Sequence, residues 1–294
     1  MSSLALLHRR RAGRRRPWTL RRTSGRVAIY ALLLLLVVVF IAPIAWGVLE
    51  SLRDPNAGLL GSLIPHPLHW SNYRLAWSGL LPFAHYLKNT VVLSIIYTVP
   101  VVFTSALAGY GFARHRARGR NVLFMCVLAT TLVPFVITFI PQFVVFAHVH
   151  MVNTYWPWFL WGLGGVPFLI FLFRQFYANF PSELHDAAAI DGCGSLRIFL
   201  WIYLPNSGAV LAAGTIVMFT WVWGDYIFPA LLLYDNQTTL GPKIAGGYTN
   251  ATGSFAYIPV TLAGAMLFTL PVVLLFFALQ KKLARGIVTT GLKG

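Results

Sequence analysis

The sequence predicts an all-α membrane protein with six transmembrane helices, and three observations lead there. Hydrophobic residues make up 57% of the 294-residue chain and charged residues only 10%, whereas a soluble domain carries about a quarter charged residues. The apolar residues arrive in blocks, and a helix needs about 20 of them to cross a bilayer. The basic residues collect in alternate connecting segments, as they do when one side of each loop pair faces the cytoplasm.

In chain order, residues 1–26 form a basic tail with nine arginines, including Arg9–Arg11 and Arg14–Arg16. The uncharged block Val27–Leu49 follows. At 23 residues, with Pro43 and Trp46 inside it and no small-residue cleavage pattern, it is expected to be a retained first helix rather than a signal peptide. The arginines before it suit a solvated tail attracted to anionic membrane lipid. Five further blocks are predicted as helices at Asn89–Ala113, Asn121–Ala147, Tyr155–Phe173, Ser207–Leu233 and Ile258–Leu279. Residues 27–284 thus form the membrane domain, and 285–294 a short C-terminal tail. If the N-terminus is cytoplasmic, segments 1–26, 114–120, 174–206 and 280–294 are too, and they hold 19 of the 23 Lys and Arg residues. The asymmetry places both termini inside and 50–87 and 235–257 outside. It also accounts for the net charge of +16 without a nucleic-acid partner.

The chain carries none of the usual signatures of chemistry. No phosphate-binding G-x-x-x-x-G-K-[ST], HExxH, GxSxG or CxxC pattern occurs, and Cys126 and Cys193 fall in different segments. His148 and His150 are two apart, about 200° apart on a helix, and so unsuited to share a metal. An intramembrane enzyme would lack a nucleophile or metal site; a transport subunit needs neither.

The acidic residues are few and unevenly placed. Of seven Asp and Glu, three lie in "PSELHDAAAIDG" at 181–192. Pro181 ends the preceding helix, Ser182 is a good N-cap, Glu183 and Asp186 complement a helix dipole near its start, and Gly192 is a natural C′ stop. The expected product is a helix of about nine residues, ~13 Å long, too short to span. Glu183, Asp186, Ala187 and Ile190 share one face, flanked by Leu184, Ala188 and Asp191. Two readings fit: a docking face for another protein, small at its centre and acidic at its rim, or a capped interfacial helix whose acids serve only its own dipole. Ser195–Leu204, with Ile198, Phe199, Trp201 and Ile202, leads on to Pro205 and the fifth block.

Asp186-Ala187-Ala188, three residues, Gly192, nine residues, then Ile202-Tyr203-Leu204-Pro205 resembles the EAA loop, E-A-A-x₃-G-x₉-I-x-L-P, of permeases in ATP-binding-cassette importers. The loop, 181–205, looks like that of the carbohydrate-importing branch, with Asp186 where the family usually has Glu. "ALAGYGFAR" (106–114), "NTYWPW" (153–158) and "FLFRQFYANFP" (171–181) are similar to that branch, in order. The ending "RGIVTTGLKG" (285–294) resembles the tail of the maltose-type second permease, which in that family reaches toward the ATPase.

The resemblance implies a type I importer permease fold in a bacterial or archaeal cell membrane. It implies a second, larger permease, a cytoplasmic ATPase dimer and an extracytoplasmic solute-binding protein as partners. Glu183, Asp186, Ala187, Ala188, Asp191 and Gly192 would form the ATPase-coupling helix. Gly291, Lys293 and Gly294 would belong to a regulatory tail. No cofactor is expected on this subunit; ATP and Mg would be used by the ATPase. In the fifth block, "FTWVWGDYIFPAL" offers Trp221, Trp223 and Asp225 as substrate-path candidates. Trp221 and Asp225, four apart, would share a helix face. An ionisable group inside a span is a candidate for function, although this stretch also suits an interfacial anchor.

Overall fold

The computed structural model describes residues 18–56, 64–249 and 256–291. Most of these residues are helical, and five helices are long and apolar enough to cross a membrane, or six if one bent pair counts as a single span. The helices are α1 (Trp18–Ser51), α2 (Ser71–Arg74), α3 (Phe83–Arg114), α4 (Arg120–Ala129), α5 (Phe135–His148), α6 (Trp156–Gly164), α7 (Pro167–Ala178), α8 (Ser182–Ile190), α9 (Ser195–Ile198), α10 (Gly208–Trp223), α11 (Ile227–Leu232), α12 (Leu240–Ala245) and α13 (Ile258–Gly291).

The chain divides into two units, Met1–Leu49 and Glu50–Gly294. The first is described from Trp18 as continuous helix, and its side chains from Val27 to Ile44 are exposed all round. In the second, α3 is the central element, packed against α6, α7 and α10, while α10 also lies along α13. Small residues set how closely these helices meet. A Cβ on Gly109 would fall 2.5 Å from Phe173 Cβ and 2.9 Å from the Arg174 nitrogen, so α3 and α7 touch backbone to side chain there. This is the device by which membrane helices gain dispersion contacts where no hydrophobic drive separates protein from lipid. The main core includes Leu93, Val101, Leu169 and Phe173; a smaller one at the N-terminal end of α3 joins Ala76, Phe83, Leu240, Tyr248 and Val260.

Three expectations are corrected and one is refined. The third block is not one helix: Arg120–Leu132 and Phe135–His148 meet at 94°, because Pro134 forces Val133 into extended backbone (ψ 116°). The fourth holds as one candidate span, Trp156–Ala178, but gains a break where Gly165 adopts φ +68° ahead of Pro167, which divides it into α6 and α7. The fifth ends at Trp223 rather than Leu233. The sixth runs on past Leu279 to Gly291, which makes most of the predicted tail a continuation of the helix.

At the N-terminal end of α3 the segment after α1 is tied down by polar groups. Arg53 forms a two-pronged buried pair with Glu50, at 2.8 and 2.6 Å. The Asn72 amide donates to the carbonyls of Ser51 and Arg53. Nearby, the Asn236–Leu240 segment is held to α3: Asn89 donates to the Asn236 and Thr238 carbonyls, and Thr90 Oγ1 accepts from Leu240 N.

Candidate functional site: the helix on the 181–205 loop

Helix α8 spans the nine residues Ser182–Ile190, the length and position its sequence predicts. Its start differs. Pro181 (ψ 127°) holds the cap position and no side chain caps the first turn; Ser182 is already the first helical residue. Proline turns the chain out of the preceding helix, and the missing N–H costs nothing where no acceptor exists. The end is a full Schellman motif: Gly192 N donates to Ala189 O, Cys193 N to Ala188 O, and Gly192 sits at φ +78°. That left-handed conformation is why glycine stands there.

The two sides of α8 differ in what they touch. Glu183, Asp186, Ala187, Ile190 and Asp191 are exposed, with Ile190 86% accessible. Ala188, predicted on the flank of this face, is instead buried at 8% and seats the helix; its small side chain permits close approach, so it is not available to a partner. His185 lies beside it on the inward side, its ring 6.0 Å from that of Tyr203 and 6.4 Å from that of Tyr110.

Beneath α8 is an aromatic seat that sequence reasoning missed. Tyr203 is fully buried and its ring centroid lies 4.8 Å from Tyr110, 5.4 Å from Tyr177 and 4.7 Å from Phe180. Phe199 closes the group 5.4 Å from Tyr110. The Arg114 guanidinium stands 5.4 Å over the Tyr203 ring, a cation–π placement, and donates to the Phe180 carbonyl. Ser207 Oγ, just before α10, is 3.1 Å from the Tyr177 hydroxyl. Burial holds the Tyr203 phenol above its ordinary pKa, with Arg114 opposing and Asp186 adding to the rise, so it stays neutral at cellular pH. The seat thereby draws α3, α7, α8 and the start of α10 into one body. Its members come from the stretches 106–114, 171–181 and 181–205, which the sequence marked as motif-like but whose convergence it did not reveal.

Beside the end of α8, a shallow hollow of about 550 Å³ is lined by Gly192, Ser195, Arg197, Leu200 and Trp201. Trp201 is 77% exposed and Leu196 58%. Acid, small and apolar surface are therefore presented together around a rigidly mounted helix.

The fifth-block candidates separate. Trp221 is 63% exposed on the last turn of α10. Trp223 is buried: its Nε1–H donates to Phe268 O at 2.9 Å, and its ring stacks on Phe219 and Phe268. It fastens α10 to α13. Asp225 has left the helix, which ends at Trp223, so it shares no face with Trp221. Its carboxylate accepts from the N–H groups of Ile227 and Phe228, at 3.0 and 3.3 Å, and so caps α11. Of the tail residues, Gly291 ends α13, while Lys293 and Gly294 lie outside the described residues. Among the described residues no group of three or more His, Cys, Asp or Glu is placed to hold a metal ion.

Residues 101–289 match the family model of the binding-protein-dependent transport system inner membrane component. The chain belongs to that family. The lactose transport system permease protein LacG of Rhizobium radiobacter is 29% identical over 275 residues, 92% of this chain and 97% of LacG. The sn-glycerol-3-phosphate transport system permease protein UgpE of Yersinia enterocolitica is 30% identical over 268 residues, 88% and 93% of the two chains. The solved structure of a bacterial ABC transporter involved in the import of the acidic polysaccharide alginate contains a chain of the same fold. It matches with a TM-score of 0.73 at 22% identity, covering 88% of this chain and 96% of that one. The fold is thus that of an importer permease. The protein is a multi-pass transport subunit and not itself an enzyme.

Proposed function

We propose that this permease serves an ATP-driven carbohydrate importer. It forms the path with a second, larger permease, receives solute from an extracytoplasmic binding protein, and is driven by a cytoplasmic ATPase dimer that uses ATP and Mg. The names of its relatives, which concern lactose, arabinooligosaccharides and sn-glycerol-3-phosphate, support a sugar or polyol as substrate. Both termini and α8 face the cytoplasm on this reading, in keeping with the lysine and arginine distribution.

The observation that carries the coupling role is the two-sidedness of α8. Glu183, Asp186, Ala187 and Ile190 are exposed while Ala188 and His185 are set into the Tyr110–Tyr177–Tyr203 seat. A displacement applied to the exposed side passes to α3, α7 and α10 together, because the packed rings between them cannot compress. That is the rigid-body movement alternating access requires. Trp221 and the 51% exposed Tyr226 flank the break after α10 and supply aromatic surface suited to a sugar face. The resemblance of 285–294 to the maltose-type tail supports a regulatory role for Gly291, Lys293 and Gly294 toward the ATPase.

Two measurements test this. Affinity capture of the chain from membranes should bring down an ATPase subunit and a second permease; recovery of the chain alone removes the importer reading. Uptake through the assembled system should be blocked by sugars and unaffected by peptides; the reverse result would move the protein to another importer branch.

A further inference from the structure

The turn between α3 and α4 carries a concentration of charge that coupling does not use. Arg116 and Arg118 are exposed, and half-buried Arg120 opens α4 with its guanidinium 3.0 Å from the His115 carbonyl. One turn further along α4, the Arg174 guanidinium from α7 sits 4.0 Å from the Phe124 ring centre. No carboxylate answers these groups. The chain's acids lie at 50, 54, 183, 186, 191, 225 and 235, and the ion pairs among the described residues are Arg53–Glu50 and His69–Asp54. A shallow hollow of about 610 Å³ opens among Arg116, Arg118, Arg120, Asn121 and Val122. The surface beyond it turns apolar at once, with Val122, Leu123 and Met125 exposed at 65%, 61% and 68%.

We propose that this turn is a binding site for an anionic phospholipid. The headgroup phosphate sits in the hollow among Arg116, Arg118 and Arg120, and the acyl chains run along Val122, Leu123 and Met125. Guanidinium forks match phosphate oxygens two at a time. The positive end of the α4 dipole adds favourable potential on the same side. The junction of charge with apolar surface selects a lipid over a soluble acidic protein, because only at the headgroup level are both satisfied by one molecule. Arg114, the fourth arginine of this run, is drawn inward to Phe180 and Tyr203. The lipid site thus begins two residues beyond the end of α3, whose last residue is part of the seat of α8.

The test uses the assembled transporter in nanodiscs of equal phosphatidylcholine and phosphatidylglycerol. A phosphatidylglycerol with a photoreactive acyl chain should label wild-type peptides covering 120–129 above all others in this chain; even labelling along the chain would overturn the proposal without any variant. Native mass spectrometry then counts retained lipid. A basic residue near an anionic surface is worth about fivefold in partitioning, so Arg116→Gln/Arg118→Gln/Arg120→Gln should lower the preference for phosphatidylglycerol by about tenfold or more. Lys281→Gln/Lys282→Gln, which removes charge from the exposed end of α13, should leave labelling of 120–129 at the wild-type level. Equal loss in both would mean diffuse attraction and no site. Unchanged lipid preference with loss of the co-purifying ATPase in the triple variant would make the turn a protein contact instead.

Discussion

Tyr203→Ala should release α8 from the bundle while leaving the membrane helices in place. Tyr203 is fully buried and touches rings from α3, α7 and the loop before α8, at 4.7–5.4 Å between centroids. Truncating a buried aromatic side chain typically costs about 3–5 kcal/mol, from lost transfer energy and the cavity left behind. Here the site adjoins a nine-residue helix that is closed by its own Schellman motif, so the cheapest response is local undocking and not global unfolding. A loss of that size lowers the docked-to-undocked ratio by two orders of magnitude or more. Tyr203→Phe keeps the ring and removes only the hydroxyl beside Arg114, so it should cost about 1 kcal/mol. Hydrogen exchange read on peptides covering 182–193, in the assembled transporter, should accelerate strongly in the alanine variant and scarcely in the phenylalanine variant. Substrate-stimulated ATP hydrolysis should follow the same order. If exchange in Tyr203→Ala is unchanged, the seat does not hold the helix, and the transmission argument built on it is wrong.

Asp186→Lys should weaken ATPase recovery by tenfold or more, since severing a charged contact in a partly buried interface costs about 2–5 kcal/mol, while Asp186→Glu should retain it. A drop of less than about threefold for Lys would reduce Asp186 to a helix-dipole partner worth ~0.3–1 kcal/mol. Trp221→Ala should raise the substrate concentration needed for half-maximal uptake without lowering protein in the membrane. Trp223→Ala, which removes the tie to Phe268, should instead lower the melting temperature; the opposite pattern would exchange their roles. Gly109→Val should block normal packing of α3 on α7, visible as loss of protein from the membrane fraction, and normal yield would show that the contact yields easily. Cysteines at Ser78 and Ser195 should label from opposite sides of sealed cells, Ser195 only after permeabilisation; labelling of both from outside would end the proposed orientation.

The apolar blocks and the short acidic helix were legible because each depends on local chemistry. Block length follows from bilayer thickness, and α8 is bounded by Pro181 and Gly192, whose backbone preferences act without tertiary help. The interruptions were hidden because an average over apolar residues ignores chain direction. The signals were present in Val133-Pro134, Gly165-Val166-Pro167 and Gly224, and in a membrane helix a proline is often tolerated, as Pro43, Pro100 and Pro271 are. Asp225 was set on one face with Trp221 for the same reason: a face drawn on an uninterrupted helix has no meaning past its end. The seat could not be read at all. Tyr110, Tyr177 and Tyr203 lie far apart along the chain, and nothing in their spacing requires that they meet.

The 94° bend at Pro134 has a bearing on what must surround this subunit. Its arms are 13 and 14 residues long, about 20 Å each, against a hydrocarbon layer of about 30 Å. Neither arm crosses unaided, and the bend leaves helix-end carbonyls and amides without helical partners at membrane depth. Leu132, Val133, Phe135 and Val136 around it are more than half exposed. Acyl chains offer such backbone groups no hydrogen bonds, so only water or another protein can satisfy them. The bend is therefore a place where a neighbouring protein or penetrating water must meet the chain once it lies in a bilayer.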